Sequence, residues 1–372
     1  MTPDEQRALV AAQKPELRIL PTVELNAETP AHLLDDDITP LSRLFARNTG
    51  DMPALGAAEI AAWTLTIDGC LRTPRCWTLG ELQRSFDPVT RIAVLECAGN
   101  GRAFFSEPVG TVLWQHGAAG CVAWTGVRLA DLLSVCELSP GAVYTGHHSP
   151  DLRLDSSGPA LSRGLPIEKA LAPETLVAWA INGAPIPPLH GGPLRLVAPG
   201  FPGSASQKWI TRIAIRDREH DGERMCNLHY RLPRVPVRPL APGERYDEAL
   251  FEVITDVPVR AVITSPADGF AAPAGAPLAV RGHAWSGHVP LARVEVSGDG
   301  GTTWRTAALG PLPDTFAWRR FAITLPAPHS GAIEIVARAS DAQGRAQPLD
   351  SAPWNPRGYC NNTVHRVCGS VG

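Results

Sequence analysis

Residues 94–102 of this chain read VLECAGNGR, an apolar run that ends in a glycine-rich turn. The alternation up to Cys97 predicts a strand, and two glycines around Asn100 are typical of a tight turn. Glycine lets backbone N–H groups approach a charged ligand, and Arg102 adds a permanent cation. A thiolate in these surroundings suits a soft metal or a nucleophile, whereas a buried structural cysteine is the alternative interpretation.

The size and composition of the chain indicate two domains without a dominant charge. A chain of 372 residues exceeds one ordinary domain, and each half can bury a core of its own. The net charge of −3, with Lys+Arg 34 against Asp+Glu 37, gives no global field that would favour nucleic acid or an anionic membrane. The 34 glycines and 36 prolines predict many turns and short strands.

The cysteine spacing and the N-terminus point to a reducing compartment. None of the 8 cysteines form a C-x-x-C pair, which disfavours zinc ribbons, thioredoxin-like sites and c-type haem attachment. Unpaired cysteines in a chain of this size fit a reducing environment better than a disulfide scaffold. The N-terminus has no secretory pattern and no apolar run of about 18 residues occurs. We therefore expect a soluble, cytoplasmic protein, or a periplasmic one if a leader has been trimmed.

The motif around Cys97 resembles that of a known enzyme family. The sequence ECAGNGR at residues 96–102 is similar to the cysteine motif of the sulfite oxidase family of molybdopterin-dependent oxidoreductases. The resemblance is to the bacterial sulfite dehydrogenase or sulfane dehydrogenase type without a haem domain, and it spans roughly residues 28–368. It implies a molybdenum cofactor, with the Cys97 sulfur binding the metal beside the two sulfurs of the pterin dithiolene, and no haem in this chain.

An earlier segment adds an arginine to this predicted site. Phe45-Ala46-Arg47-Asn48-Thr49 is, taken alone, a surface loop with a solvated arginine. It is also similar to the Phe-x-Arg-Asn segment of the family, which implies that Arg47 lies at the substrate anion and that Asn48 and Thr49 contact the cofactor. The family often has histidine where Thr49 stands, so one pterin contact differs here.

A second strong motif follows in residues 190–210, HGGPLRLVAPGFPGSASQKWI. His190, Arg195 and Lys208 come from turns and strand edges, a layout suited to an anionic group such as a pterin phosphate. Three unrelated surface residues are the alternative. The spacing matches the phosphate clamp of the family, and the resemblance implies that Ser204 and Ser206 also contact the cofactor.

The remaining predicted site residues rest on the resemblance. Trp114 corresponds to a tryptophan that lines the substrate pocket of the family, and Tyr230 to its substrate-site tyrosine. Arg102 corresponds to a second substrate arginine. Arg319 matches an arginine that the second domain lends to the active site.

The predicted architecture is an α+β molybdopterin-binding domain of the sulfite oxidase type followed by an all-β, immunoglobulin-like sandwich. An N-terminal arm occupies residues 1–40, the catalytic domain residues 41–245 and the dimerisation domain residues 255–372. A proline-rich connector lies at 234–250, after which short alternating strands bounded by turn signals predict the sandwich.

The predicted function is oxidation of sulfite, or a related sulfur oxyanion, to sulfate by oxo transfer. Electrons would pass to an external acceptor such as a cytochrome c, and the protein would form a homodimer. A molybdopterin-dependent reductase of a sulfoxide such as methionine sulfoxide, or a sulfane dehydrogenase subunit, is the enzymatic alternative. A degenerate scaffold or adhesion protein is the non-enzymatic one. No nucleic-acid or membrane partner is expected.

Overall fold

The computed structural model describes residues 1–107, 109–326 and 330–372, and its secondary structure is mainly β. The helices are α1 (Pro3–Gln13), α2 (Ala57–Ala61), α3 (Leu79–Ser85), α4 (Leu129–Cys136) and α5 (Ile167–Leu171). The strands of the first domain are β1 (Arg18–Ile19), β2 (Leu25–Glu28), β3 (Ala46–Asn48), β4 (Thr64–Gly69), β5 (Arg75–Thr78), β6 (Val89–Glu96), β7 (Ala119–Arg128), β8 (Tyr144–His148), β9 (Gly164–Pro166), β10 (Leu176–Ile181), β11 (Ala184–Pro185), β12 (Arg195–Val197) and β13 (Arg212–Arg216). Two short strands, β14 (Arg231–Pro233) and β15 (Phe251–Val253), pair with each other in the connecting region.

The first domain has three sheets with short helices between their strands. The sheet orders are β1-β2-β3, β11-β10-β7-β6 with β12 on β10, and β5-β4-β13-β8-β9. Helix α4 buries Leu129, Leu132, Leu133 and Cys136 on one face, as its apolar spacing predicts. This arrangement agrees with the predicted α+β domain.

The predicted N-terminal arm is part of the first domain rather than a loose extension. Strand β2 lies inside residues 1–40 and pairs with β3, which carries Arg47. The amino group of Met1 donates to the carbonyl of Met52, which fastens the start of α1 to the domain. The N-terminal residues therefore help to position one wall of the site described below.

The second domain is a two-sheet sandwich. Its strands are β16 (Arg260–Ser265), β17 (Phe270–Ala272), β18 (Leu278–Trp285), β19 (Leu291–Ser297), β20 (Arg305–Thr306), β21 (Ala308–Leu309), β22 (Arg319–Leu325), β23 (Gly331–Asp341) and β24 (His365–Val371). One sheet has the order β16-β18-β22-β21 and the other β17-β24-β23-β19-β20. Alternate residues such as Val280, Val294, Phe321 and Ile335 fill the core between the sheets. The predicted fold class is confirmed.

A buried ion pair joins the two domains directly beside Cys97. Glu96 ends β6 and Arg260 begins β16, and their side chains are 3% and 1% exposed. The Nε atom of Arg260 lies 2.8 Å from Oε1 of Glu96. Trp285 and Asn100 donate to the same carboxylate at 2.7 and 2.9 Å. Because every polar contact of Glu96 lies out of water, the junction depends on all its members.

The turn at residues 355–361 of the second domain closes against the Cys97 loop. The amide of Cys360 donates to the carbonyl of Ala98 at 2.7 Å. Gly101 has a φ of +83°, and a Cβ there would lie 2.4 Å from the carbonyl oxygen of Asn361. Glycine is therefore required at this position both for its backbone conformation and for the close approach of the domains.

In the described part of the chain, no helix combines the length and the apolar character needed to cross a membrane.

Candidate cofactor and substrate site

One cavity of the first domain gathers most of the predicted site residues. It encloses about 710 Å³, part of which is open to solvent. The predicted residues that line it are Arg47, Asn48, Thr49, Cys97, His190, Arg195, Ser204, Ser206, Lys208 and Tyr230. They come from segments that are distant in the sequence, so the fold brings together what the motifs predict separately.

Cys97 stands where β6 ends and the chain turns. Its amide donates to the carbonyl of Ala118 at 2.9 Å, and its carbonyl accepts from the amide of Asn100 at 2.9 Å. The thiol is a free, half-buried cysteine. Its sulfur can therefore bind a group inside the cavity without any change in the backbone.

The predicted phosphate clamp forms a cluster of basic side chains, of which His190 and Arg195 are buried and Lys208 is half-buried. His190 and Arg195 are 2% and 3% exposed, and Nη1 of Arg195 donates to the carbonyl of His190 at 2.8 Å. The ammonium of Lys208 donates to Oδ1 of Asn48 at 2.5 Å and to the carbonyl of Leu189 at 2.8 Å. These bonds fix the side chains of Arg195 and Lys208, whereas Nε2 of His190 has no hydrogen-bond partner in the described structure.

The electrostatics of this cluster are unusual because no carboxylate contacts its charges directly in the described structure, although Asp151 lines the same cavity and acts to raise the pKa of Lys208. Among the described residues, neither Arg195 nor Lys208 lies within 4.0 Å of a carboxylate oxygen. Burial lowers the pKa of Arg195 to about 9, and burial followed by repulsion from Arg195 holds the pKa of Lys208 well below its usual range. Burial likewise keeps the pKa of His190 far below its ordinary value. Buried unpaired cations are costly in the absence of an anionic ligand.

The residues fit a pterin cofactor with a phosphate. Nε2 of His190, Nε of Arg195 and Oγ of Ser204 are buried without a hydrogen-bond partner in the described structure. A bound phosphate would accept such donors through charge-assisted hydrogen bonds. The described residues also contain no group of three or more His, Cys, Asp or Glu that could hold a metal by themselves. A metal in this cavity would thus depend on Cys97 and on ligands that a cofactor brings.

The open end of the cavity presents Arg47 and Tyr230. Burial lowers the pKa of Arg47, but Glu24, Tyr230 and Cys97 outweigh that effect and raise the pKa. Tyr230 has a φ of +53°, a conformation that a non-glycine residue keeps only when its surroundings hold it there. Its ring stacks on Tyr359 with centroids 5.2 Å apart, and the guanidinium of Arg163 lies 4.3 Å from its centroid.

Two predicted substrate-site residues stand behind the cavity wall. Trp114 is 1% exposed and packs its edge against Phe45, which does line the cavity. Arg102 donates through Nε to the carbonyl of Gly358 and through Nη1 to that of Val112, both at 3.1 Å. Neither residue lines the cavity, because the turn of the second domain and the core of the first hold them.

Arg319 differs from its predicted place. Its Nε and Nη2 atoms donate to the carbonyl of Gly310 at 3.0 and 2.8 Å, inside the second domain. In this single chain it does not reach the cavity, because β22 pairs with β18 and β21 in the sandwich. The second domain approaches the site through the 355–361 turn instead, where Nη2 of Arg357 lies 3.2 Å from Nε2 of His229, the residue before Tyr230.

The sequence motifs missed several residues around the cavity. Asp151 and Gln207 line it, while Arg163 and Tyr359 hold Tyr230. Gln207 lies inside the SASQKW stretch and could have been recognised from its place next to Lys208. The others belong to loops or to the second domain, and no local pattern distinguishes them.

Comparisons with known proteins match both domains to molybdenum enzymes. Residues 50–224 match the oxidoreductase molybdopterin binding domain, and residues 251–371 match the Mo-co oxidoreductase dimerisation domain. Sulfite oxidase of Gallus gallus is 33% identical over 388 residues, which cover 98% of this chain and 82% of that protein. Mitochondrial sulfite oxidase of Homo sapiens is 31% identical over 383 residues, 95% of this chain and 65% of that protein.

A solved structure gives the same result. The sulfane dehydrogenase SoxCD from Paracoccus pantotrophus is 26% identical, with a TM-score of 0.76 over 96% of this chain and 88% of that one. The likeness extends over both domains of the chain. Together with the cavity around Cys97, these matches show that the chain is an oxidoreductase of the sulfite oxidase family of molybdopterin-dependent enzymes.

Proposed function

We propose that this protein oxidises sulfite to sulfate with a molybdenum cofactor held at Cys97 and passes the electrons to an external acceptor. The observation that carries the proposal is the composition of one cavity. A half-buried thiol shares it with the basic side chains of Arg195 and Lys208, neither of which has a carboxylate oxygen within 4.0 Å in the described structure. A pterin phosphate would balance the positive charge of these side chains, and the thiol would bind the molybdenum atom.

The cofactor, when bound, supplies a two-electron oxygen-transfer centre, and the protein residues hold and tune it. The Cys97 thiolate would bind the metal and donate electron density to it, which would tune how readily the metal accepts electrons. The phosphate would be bound by His190, Arg195 and Lys208. Ser204 and Ser206 would add further hydrogen-bond donors. Because Arg195 and Lys208 are already fixed by hydrogen bonds, these two side chains lose little freedom when the cofactor binds.

The substrate end must replace the water shell of an anion that carries two charges. Arg47 supplies a cation at the cavity wall and Tyr230 a hydroxyl that can donate to an oxyanion. Arg102 and Trp114 support this wall from behind. We assign the cation of the second domain to Arg357 rather than to Arg319, because Arg357 contacts the residue next to Tyr230.

The electrons leave to an acceptor outside the chain, for which a cytochrome c is the proposed partner. The dimerisation domain in residues 251–371 supports a homodimer. We place the protein in the cytoplasm, a proposal that rests on the 8 cysteines being free thiols in the structure.

A second candidate function is that of a sulfane dehydrogenase subunit. It is favoured by the likeness of the whole chain to the sulfane dehydrogenase SoxCD, with a TM-score of 0.76. The same cavity would then act on sulfur at a lower oxidation level, and the assay below separates the two substrates.

The test is a steady-state assay of the molybdenum-containing protein with sulfite and either ferricyanide or cytochrome c. We expect sulfite-dependent reduction of the acceptor in the native protein and its loss in the Cys97→Ser variant. Preparations with matched cofactor content must be compared. Stoichiometric molybdenum without any turnover of sulfite would reject the proposed substrate, and activity with a sulfane donor or with methionine sulfoxide would identify the alternative.

A further inference from the structure

Arg47, the arginine that we propose to bind the substrate, already forms an ion pair with a carboxylate of the chain. Oε2 of Glu24 lies 2.6 Å from Nη1 of Arg47, the arginine at the wall of the cavity. The other oxygen of the same carboxylate, Oε1, lies 3.2 Å from Nη2 of Arg224. The side chains are 19%, 22% and 26% exposed for Arg47, Glu24 and Arg224, so water reaches all of them. One carboxylate thus bridges two arginines at the mouth of the site.

The backbone holds Glu24 at this place independently of its side chain. The guanidinium of Arg7 donates to the carbonyls of Thr22 and Val23, each at 3.1 Å. The carbonyl of Glu24 accepts from the hydroxyl of Thr22 at 3.0 Å and from the amide of Asn26 at 3.2 Å. A change of the Glu24 carboxylate to a neutral group would therefore leave the segment where it is.

The bridge has two possible consequences with opposite signs. If the carboxylate only orients Arg47, removing its charge weakens anion binding. If it competes with an incoming oxyanion for the guanidinium, removing its charge strengthens anion binding. The second outcome follows from the geometry, because the Glu24 carboxylate lies 2.6 Å from the guanidinium that an incoming oxyanion must approach, and its negative charge both neutralises Arg47 and repels that anion.

We infer that Glu24 is a specificity-determining residue, a resident carboxylate that competes with the substrate oxyanion for Arg47. Arg224 makes the exchange possible, because Glu24 keeps its ion pair with Arg224 when Arg47 binds the substrate. A carboxylate close to an exposed arginine lowers its attraction for every anion, in proportion to the charge of that anion. Glu24 thus sets how strongly the site holds a dianion, and it limits retention of the sulfate product. The inference rests on the proposed function for its substrate but not for its test.

The test measures anion binding with and without the Glu24 charge. Calorimetric titration of the cofactor-containing protein with sulfate, and separately with nitrate, compares the native chain with Glu24→Gln. We expect the Kd of sulfate to fall by roughly tenfold and that of nitrate by roughly threefold, because the Coulomb energy scales with ligand charge. In turnover, the KM for sulfite should fall by a similar factor while kcat changes by less than about twofold.

Glu16→Gln is the matched control. Glu16 belongs to the same N-terminal segment, pairs with Arg43 at 3.0 Å and is 43% exposed, so the substitution removes the same charge from another surface ion pair. Its anion affinities should equal those of the native protein. An unchanged or increased Kd of sulfate in Glu24→Gln, or an equal effect on nitrate and sulfate, would overturn the inference. Tighter sulfate binding without sulfite turnover would keep the inference and reject the proposed function.

Discussion

Two regions of buried charge lie close to Cys97, and they differ in how their charge is neutralised. At the domain junction, Arg260 pairs with Glu96 at 2.8 Å, and Trp285 donates a hydrogen bond to the same carboxylate. In the cavity, Arg195 is equally buried and Lys208 is half-buried, yet in the described structure their side chains donate only to carbonyl and amide oxygens. The junction pairs its cation with a carboxylate, whereas Arg195 and Lys208 in the cavity have no carboxylate within 4.0 Å in the described structure.

The difference separates charges that hold the fold from charges that hold a ligand. A buried pair loses much stability when one partner is removed, because the other is left charged and dry. A buried cation without a counterion already destabilises the folded protein. Replacing it with a neutral side chain should therefore not lower the free energy of unfolding. Stability measurements on cofactor-free protein can therefore assign each buried cation to one class.

The largest effect is expected at the junction. Replacing Arg260 with methionine leaves the Glu96 carboxylate buried without its cation, and the free energy of unfolding should fall by about 3–5 kcal/mol. Urea denaturation of cofactor-free protein, followed by tryptophan fluorescence, measures the change. The double variant Glu96→Gln with Arg260→Met should recover most of the loss. A single variant within about 1 kcal/mol of the native protein would contradict the assignment of this pair to the fold.

The second prediction concerns Lys14, a buried cation whose ammonium donates to backbone carbonyls of the first domain. It is 4% exposed, its ammonium donates to the carbonyl of Leu44 at 3.0 Å, and burial lowers its pKa to about 8 from 10.5. Between these two values the unfolded chain binds more protons than the folded one, so stability should rise with pH across that window. The gain attributable to Lys14 is about 3 kcal/mol.

The measurement for Lys14 is a series of urea titrations of cofactor-free protein from pH 7 to pH 10.5. The difference between the native chain and Lys14→Met isolates this residue from other groups that titrate there. The native protein should gain stability relative to the variant as the pH rises. A constant difference across the series would show that Lys14 keeps its ordinary pKa in the folded protein.

The third effect is expected in the cavity and has the opposite sign to the first. Arg195→Met should leave the cofactor-free protein unchanged or stabilise it by up to about 2 kcal/mol, since the variant removes an unpaired buried charge. The same variant should retain much less molybdenum and pterin after purification. Denaturation and metal analysis are done on the same preparations. A destabilisation as large as that of Arg260→Met would erase the distinction between the two regions.

The smallest effect concerns two arginines of the second domain, Arg357 and Arg319. Arg357→Ala should raise the KM for sulfite about tenfold, equivalent to about 1.4 kcal/mol, because it removes a cation near Tyr230. Arg319→Ala is the matched control, since its guanidinium donates to Gly310 inside the second domain. The KM of that variant should stay within about twofold of native. A reversed order of the two effects would restore Arg319 as the substrate arginine.

The sequence predicts those parts of the site that lie within one continuous motif. The strand and turn around Cys97 follow from alternation and glycine placement, whereas the roles of Cys97 and of His190, Arg195 and Lys208 follow from the resemblance of their motifs to the sulfite oxidase family. In each case neighbouring residues determine the local backbone, and the backbone determines where the side chains point. The sandwich of the second domain follows in the same way from strands that alternate between apolar and polar residues.

Contacts between distant segments could not be predicted in this way. The approach of the 355–361 turn to the Cys97 loop depends on domain packing, so the local pattern pointed to Arg319, and we propose Arg357 only from its contact with His229. The Glu24 carboxylate lies on a segment without any motif, and only the pairing of β2 with β3 brings it to Arg47. Arg163 and Tyr359 likewise can be recognised only in the folded structure, where both pack against the ring of Tyr230.

The most direct test of the central claim is molybdenum K-edge X-ray absorption on the native protein and on Cys97→Ser. If the Cys97 thiolate binds the metal, the variant should lose one sulfur ligand from the first coordination shell while the ligands from the cofactor remain. An identical sulfur count in both proteins would show that Cys97 does not bind molybdenum, and would contradict the account of the site given above.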